Sequence, residues 1–507
     1  MMNAVDRLWR HAEDTPDNIA VREGDRTWTY RELLDLIGSF AQRLVAADTK
    51  PGDRVLLVAP TSQEFVVAYH AILAVGAVAV TVNAMSTTAE LEYFIDDAEC
   101  SRVIAWHESA SDAEAAAKRG DVDFWVLESG DVEVTDFTRL GLPVEVATDD
   151  NAVLLYTSGT TGKPKGAELT HGNIIACANA IQSTLNSDSS DRVGTGLPLF
   201  HVFGQVCVMA STFWVGASLS LLRPFDGAAV LKMAARDKLS ILSGVPTMWN
   251  AMLHAEVDVK REDLANLRLA TSGGAALPLA VANAFSERFG CTVLDGYGLS
   301  ETTGAATFNA PSGDRKEGSV GPALAGLEVC IMDADGNPVP HGEPGEVAIK
   351  GSVIMKGYWR RPEATAEVMR GDWFLSGDIG KQDEAGFVWI VDRKKDLVIR
   401  GGYNVYPREI EEVLYKHPGI REVAVIGIPD DRLGEEIAAV VALHPNATLE
   451  PAVLRAWAEE QLSAYKVPRI YQMVDELPKG ATGKILKRQI DPTTVLSQGI
   501  TVKRARN

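Results

Sequence analysis

Short β-branched runs alternate with stretches of helical periodicity through the first part of the chain, and this alternation restricts the fold more than any other feature. Residues 55–58 read as strand, 64–73 as helix, 78–82 as strand, 91–97 as helix and 102–105 as strand. Apolar strands separated by helices long enough to cross over a sheet pair in parallel. An α/β class follows. From Glu328 to Ile399 the texture changes, and turns such as Asp335-Gly336-Asn337-Pro338 and Asp383-Glu384-Ala385-Gly386 divide short strands such as Phe387-Val388-Trp389-Ile390. This predicts a β-rich subdomain. Beyond the charged segment Asp392-Arg393-Lys394-Lys395-Asp396, Ile410, Val413 and Leu414 share one helix face and residues 423–426 read as strand. The expected organisation is a large N-terminal domain (1–394) of parallel-sheet α/β subdomains plus the β-rich one, followed by a small mobile C-terminal α+β domain (395–507).

Composition narrows the function. The 507 residues carry a net charge of −20, with 46% hydrophobic and 23% charged residues, which excludes a disordered chain and disfavours bulk polyanions such as nucleic acid. A local cluster of cations and backbone amides can still bind phosphate. Cys100, Cys177, Cys207, Cys291 and Cys330 are odd in number, widely spaced and without a CxxC pair, so reduced thiols are expected rather than disulfides or a zinc site. The segment Met1 to Arg10 lacks the apolar core of a signal peptide, and a cytoplasmic location is expected. His70, Gly76 and Thr81 interrupt the apolar stretch 65–82, which reads as a buried helix to about Val75 and a strand at 77–82 rather than as a membrane span. The last residues, Lys503-Arg504-Ala505-Arg506-Asn507, read as a solvated basic tail.

The strongest local signal is Thr157-Ser158-Gly159-Thr160-Thr161-Gly162-Lys163-Pro164-Lys165-Gly166. Its glycines let main-chain N–H groups approach a ligand, its hydroxyls can donate to phosphate oxygens, and Lys163 and Lys165 can offset pyrophosphate charge. The strand-like Ala152-Val153-Leu154-Leu155-Tyr156 precedes it, and a helix from about His171, capped by Thr170, is expected after it. Strand, glycine-rich loop and helix in that order form a phosphate-binding context. It is not a Walker A loop, because Gly159 and the Gly162-Lys163 pair enclose two residues rather than four.

Together with this loop, five further segments occur in a fixed order: Tyr297-Gly298-Leu299-Ser300-Glu301-Thr302, Trp373-Phe374-Leu375-Ser376-Gly377-Asp378, Asp392-Arg393-Lys394-Lys395-Asp396, Gly401-Gly402-Tyr403-Asn404-Val405-Tyr406-Pro407-Arg408-Glu409-Ile410-Glu411 and Pro478-Lys479-Gly480-Ala481-Thr482-Gly483-Lys484. The set resembles the adenylate-forming superfamily of acyl-CoA synthetases, adenylation domains and firefly luciferase. That resemblance implies two half-reactions: a carboxylate attacks the α-phosphorus of ATP to give acyl-AMP and pyrophosphate, and a thiol then takes the acyl group and releases AMP.

The resemblance also implies roles. Lys484 is the catalytic cation, carried on the small domain and brought to the nucleotide by domain closure. Glu301 is the Mg²⁺ ligand, assisted by Thr157, and Ser300 stands where relatives have Thr. Thr157, Ser158, Gly159, Thr160, Thr161, Gly162, Lys163 and Lys165 cradle phosphates. Tyr297 gives adenine a flat face, with Gly274, Ala275, Asp295 and Gly296 as neighbours. Asp378 can accept from both ribose hydroxyls, and Arg393 contacts the sugar or phosphate. Lys395 is the hinge about which the Gly401-Gly402 face replaces Lys484 and admits a pantetheine arm.

The acid is read from His201 in Pro198-Leu199-Phe200-His201-Val202-Phe203-Gly204. His201 borders the acyl site by resemblance and occupies the place where amino-acid-activating relatives often carry Asp, which argues against an amino-acid substrate. Val206, Met248, Trp249, Gly273 and Gly304 are the other expected pocket residues, apolar or small, and an aliphatic monocarboxylic acid suits them. The pattern most resembles bacterial medium- and long-chain fatty acid CoA ligases. CoA is the expected acceptor, favoured by its frequency in the family, and the phosphopantetheine of an acyl carrier protein, which offers the same thiol, is the alternative. A non-catalytic acyl-nucleotide sensor is opposed by the joint presence of Lys484, Glu301 and Asp378, and a luciferase-like oxygenase has no specific support. Oligomeric state and peripheral membrane contact stay open.

Overall fold

The computed structural model describes residues 2–128, 141–157, 163–445, 447–480 and 483–502. Residues 158–162, at the centre of the glycine-rich loop, and the basic tail 503–507 lie outside the described residues.

Two mostly parallel sheets form the large domain. An eight-stranded sheet runs in the order Thr307–Phe308, Val293–Tyr297, Leu269–Ser272, Ile241–Gly244, Arg192–Thr195, Ser218–Leu221, Ile19–Glu23 and Arg26–Thr29, with antiparallel strands only at its two edges. A seven-stranded sheet runs Gly357–Tyr358, Lys165–Thr170, Asn151–Thr157, Val78–Val82, Arg54–Val58, Cys100–Trp106 and Asp123–Leu127. The helix Gln63–Ala74 is buried on every side because it packs against strands of both sheets, which is why its sequence is apolar all round rather than amphipathic. Strand Val78–Val82 is likewise wholly buried.

The expected helix after the glycine-rich loop starts at His171, and the Thr170 side chain accepts from the Asn173 amide as its cap. The strand, loop and helix order is corrected, however. Residues Lys165–Thr170 form a strand antiparallel to Asn151–Thr157, with Thr157 opposite Lys165, so the loop is the tip of a β-hairpin and does not feed the helix directly. Lys165 and Gly166 belong to that returning strand, where alternation rather than a helix N-terminus orients their side chains.

An antiparallel five-stranded sheet built on Leu327–Met332, Gly345–Gly351 and Trp373–Gln382 makes the β-rich subdomain, and Val388–Arg393 pairs along its last long strand. The C-terminal α+β domain has its own apolar core. Helix Pro407–Tyr415 buries Ile410, Val413 and Leu414 against the hairpin of Ile420–Asp430 and Gly434–Leu443. Among the described residues no helix is long and apolar enough to cross a membrane.

One ion pair is buried within this small domain. Arg400 donates from NH2 to Glu436 Oε2 at 2.9 Å and from NH1 to the Tyr465 carbonyl at 2.5 Å, and Arg469 lies 3.1 Å from Glu436. Removing one partner leaves the other charge out of water and unpaired. Glu436→Ala is expected to cost the small domain about 3–5 kcal/mol. Amide hydrogen exchange across 420–443 checks this, with marked acceleration there and little change in the eight-stranded sheet.

Candidate functional site

The C-terminal ends of the parallel strands in the eight-stranded sheet open into a cavity of about 1050 Å³, roofed partly by the β-hairpin Thr157/Lys165 and closed from outside by the small domain. Clefts at the carboxyl ends of parallel strands are where α/β folds gather ligand-binding loops.

The small domain contributes Lys484. Gly483 N–H donates to the Gly480 carbonyl and Gly480 N–H to the Lys484 carbonyl, both at 2.8 Å, which folds the segment back on itself. Gly483 has a φ of +76°, and a Cβ there would lie 2.7 Å from Thr247 Oγ1, so only glycine lets the turn sit this close to the helix Pro246–Leu253. Burial, and then the positive charge of Arg393, bring the Lys484 ammonium down to about 8, with Asp378 partly offsetting them.

Facing it, Asp378 is buried and engaged from two sides. The Tyr297 hydroxyl donates to its Oδ2 at 2.7 Å, and Arg393 Nε lies 3.4 Å from Oδ1. Burial, and then this carboxylate, push the Tyr297 hydroxyl well above its ordinary value, so it remains a donor. Tyr297 is thereby fixed by its rim while its ring lines the cavity. Asp295 also lines it. Burial lifts its carboxyl to about 7, and its Oδ1 has no hydrogen-bond partner among the described residues, leaving a polar atom there for a ligand.

His201 lies near Lys484 and lines the same space. Its Nδ1 accepts from the Phe203 amide at 3.3 Å, which leaves Nε2 to carry the proton of the neutral ring. Burial, and then the Lys484 charge, lower it to about 4. At neutral pH His201 is therefore an uncharged hydrogen-bond donor rather than an acid.

Glu301 accepts from the Tyr358 hydroxyl at 2.7 Å, and both line the cavity with Thr157 and Ser300. Among the described residues no three His, Cys, Asp or Glu side chains converge as a cage. One carboxylate and one hydroxyl nevertheless suit Mg²⁺, which binds few protein oxygens and keeps waters and phosphate oxygens in its shell.

The structure thus brings Thr157, Lys165, His201, Gly273, Gly274, Ala275, Asp295, Gly296, Tyr297, Ser300, Glu301, Gly304, Asp378, Arg393, Lys395 and Lys484 to one cavity. Ser158, Gly159, Thr160, Thr161 and Gly162 lie outside the described residues. Other expectations need correction. Lys163 is exposed with its ammonium over the Tyr93 ring, and the returning strand carries Lys165 to the cavity instead. Val206 and Trp249 do not line it. Val206 is wholly buried on the far side of the π-helix Phe203–Ala210, and Trp249 packs edge-on against Phe285 in the core. Met248 is also a core residue. Gly401 and Gly402, expected to face the cavity only once Lys484 has withdrawn, are exposed and outside it in this arrangement, in which Lys484 occupies the inward face of the small domain.

Contacts that sequence reading missed are the Tyr358–Glu301 and Tyr297–Asp378 bonds and the domain junction. There the Arg408 amide donates to Asp392 Oδ2 at 2.9 Å and its guanidinium to the Ile390 carbonyl at 2.6 Å. The charged segment beside 392 was the available signal for the junction; the tyrosines had none.

The family described as "AMP-binding enzyme" matches residues 8–359, and its C-terminal domain matches 409–484. The chain belongs to the AMP-binding enzyme family. It is an adenylate-forming protein of the acid–CoA ligase class. It is 38% identical to a feruloyl-CoA synthase of Amycolatopsis over 95% of this chain and 97% of that one. It is 34% identical to a long-chain-fatty-acid–CoA ligase of Bacillus subtilis over 94% of this chain and 91% of the relative. The ATP-bound structure of MatB from Rhodopseudomonas palustris superposes with a TM-score of 0.90 at 35% identity, covering 97% of this chain and 99% of that one.

A lysine held near 8 is a free amine over a pH range where ordinary lysines are not. Lys484 is expected to react with trinitrobenzenesulfonate half-maximally near pH 8, while exposed lysines continue to gain reactivity well above it. Peptide mapping across a pH series checks this, and saturating ATP is expected to protect Lys484 alone.

Proposed function

We propose that this protein activates an aliphatic fatty acid as acyl-AMP and passes the acyl group to the thiol of CoA. The observation that carries the reading is the convergence of Lys484, His201 and Asp378, from three separate parts of the chain, on one cavity. Asp378 and Tyr297 suit ribose and adenine, with Asp295 available to the base. His201 Nε2–H and the Lys484 ammonium suit a carboxylate lying against the α-phosphate.

In the first half-reaction a carboxylate oxygen bonds to the α-phosphorus and the bond to the β-phosphate oxygen breaks. Two anions must meet, and a preorganised ammonium in a water-poor site stabilises the charge that gathers between them. Glu301 and Thr157 would hold Mg²⁺, which supplies positive charge to the departing pyrophosphate when bound. In the second, the thiol sulfur bonds to the acyl carbon, AMP leaves with the bonding pair, and the thiol proton is lost. Rotation of the small domain about Lys395, between domains 1–394 and 395–507, would withdraw Lys484 and bring the Gly401-Gly402 face inward to admit the pantetheine.

A fatty acid is supported by the far part of the cavity, where Ile181, Leu185, Val193, Val208, Val215 and Ile241 are apolar and the described residues offer no cation to a second carboxylate. Similarity to the feruloyl-CoA synthase supports an aromatic acid as the second reading. An acyl carrier protein in place of CoA is the alternative acceptor.

Carboxylate-dependent exchange of labelled pyrophosphate into ATP tests the first half-reaction, with fatty acids, ferulate and benzoate in one panel. Exchange confined to the aromatic acids would replace the proposed substrate. Supplying CoA or pantetheinylated carrier protein to the preloaded enzyme then separates the acceptors. Lys484→Ala is expected to lose about 10²- to 10³-fold in exchange and much less in thioester formation from supplied acyl-AMP. Equal losses in both steps would contradict the role given to this lysine.

A further inference from the structure

The acyl side of the cavity runs along its strands rather than ending where they open. On strand Ile241–Gly244 and the residue after it, Ile241, Ser243 and Val245 alternate onto the cavity floor. Val245 lies at the nucleotide end, beside Gly274, and Ile241 begins the strand at the other. Four residues of strand cover about 13 Å. Beyond Ile241 the lining continues to Asp191 and Ala217, which precede the paired strands Arg192–Thr195 and Ser218–Leu221. The space is therefore a channel that traverses the sheet surface from end to end.

Its opposite wall comes from the π-helix Phe203–Ala210 and the short helix Ser211–Val215. Residues four apart lie on one face of a helix. Phe203, Cys207, Ser211 and Val215 accordingly all face the channel, with Val208 and Thr212 beside them. Ser211 and Thr212 spend their hydroxyls on the carbonyls of Cys207 and Val208, so they present little unmet polarity to a chain lying alongside.

The far end is a satisfied polar stop. Asp191 accepts from Ser240 Oγ at 2.6 Å, from Arg268 NH2 at 2.6 Å and Nε at 3.1 Å, and from the Asp188 amide at 3.1 Å, while Arg268 NH1 donates to the Leu185 carbonyl. Gln182 and Ser187 also line this end, but with its carboxylate committed Asp191 offers no free charge to a chain terminus.

We infer that this channel selects unbranched fatty acids of about ten to twelve carbons, taking about 1.3 Å per methylene from ordinary C–C geometry, and that Val215 is a specificity-determining residue that sets the length. The inference rests on the fatty acid reading above. Val215 is the last residue of the wall stripe and lies next in sequence to the Gly216-Ala217 turn where the floor ends, so its bulk decides how much of the distal channel a chain can enter.

The test is pyrophosphate exchange by the full-length wild type, Val215→Phe and Val215→Ala with saturated acids from six to eighteen carbons, and with ferulate and benzoate. The wild type is expected to peak at ten to twelve carbons. Val215→Phe is expected to shift the ratio of eight-carbon to twelve-carbon kcat/KM by about tenfold or more toward the shorter acid, and Val215→Ala to shift preference toward longer ones, since a methylene in an apolar pocket carries about that discrimination. A length profile unmoved by both substitutions would overturn the role of Val215, and a wild-type optimum at six carbons or fewer would overturn the channel. Exchange with aromatic acids and none with fatty acids would instead overturn the reading on which both rest.

Discussion

A single ammonium crossing from one domain into the cavity of another is the constraint around which the molecule is arranged. Lys484 is costly where it stands. It is largely removed from water and repelled by Arg393 and Lys395, with Asp378 as its nearest compensating charge, and its affinity for a proton is lowered accordingly. That deficit disappears when anionic phosphates and a carboxylate share the space. On the proposed chemistry, the closed arrangement would be stabilised most when the cavity holds such anions. Differential interaction of this kind is what allows a ligand to shift a two-state equilibrium. It also explains why the junction is polar rather than apolar. The Arg408 contacts to Asp392 and Ile390, and a weak Asn250 contact to the Arg421 carbonyl at 3.4 Å, can be exchanged for water, whereas an apolar seam of the same size would resist opening.

Periodicity made the architecture legible, and chemistry-bearing motifs made much of the cavity legible, but for different reasons. Alternating apolar runs report burial directly, so the strands and helices between 54 and 106 stand close to where the pattern puts them. Tyr297 ends its strand, Glu301 stands in a short 3-10 turn, Lys484 follows a tight turn and Asp378 projects from within strand Trp373–Gln382, and all four face the same cleft. The hairpin after Thr157 was misread because Lys165–Thr170 is short and carries charge, and its pairing depends on a neighbour eight residues back rather than on its own pattern.

The side-chain bonds that hold the site were not legible at all. Tyr358 reaches Glu301 across 57 residues and Tyr297 reaches Asp378 across 81; Tyr358 stands in no recognisable segment, and the segment that marks Tyr297 does not name Asp378 as its partner. Val206 and Trp249 failed in the opposite sense. Their apolar character suits a pocket wall and a core equally, and only helix geometry distinguishes them. In the π-helix, Cys207 takes the wall and Val206 the core. Gly401 and Gly402 belong to a different case, since the proposed hinge would bring them to the cavity only in an arrangement other than this one.

In the proposed acyl channel, local helix geometry would become specificity. Residues four apart share one helix face, so Phe203, Cys207, Ser211 and Val215 stand in file through the π-helix and the short α-helix that follows it. Along this file the Ser211 hydroxyl donates to the Cys207 carbonyl and the Thr212 hydroxyl to the Val208 carbonyl. Those two hydroxyls consequently act within the helix and not on the substrate. A channel wall can then contain serine and threonine while remaining, to an alkyl chain, an apolar surface. The polar stop at Asp191 follows the same logic, because its charge is consumed by Arg268 and Ser240 before any ligand arrives. Discrimination at the distal end is left to shape, which is the property that a single side chain such as Val215 can set.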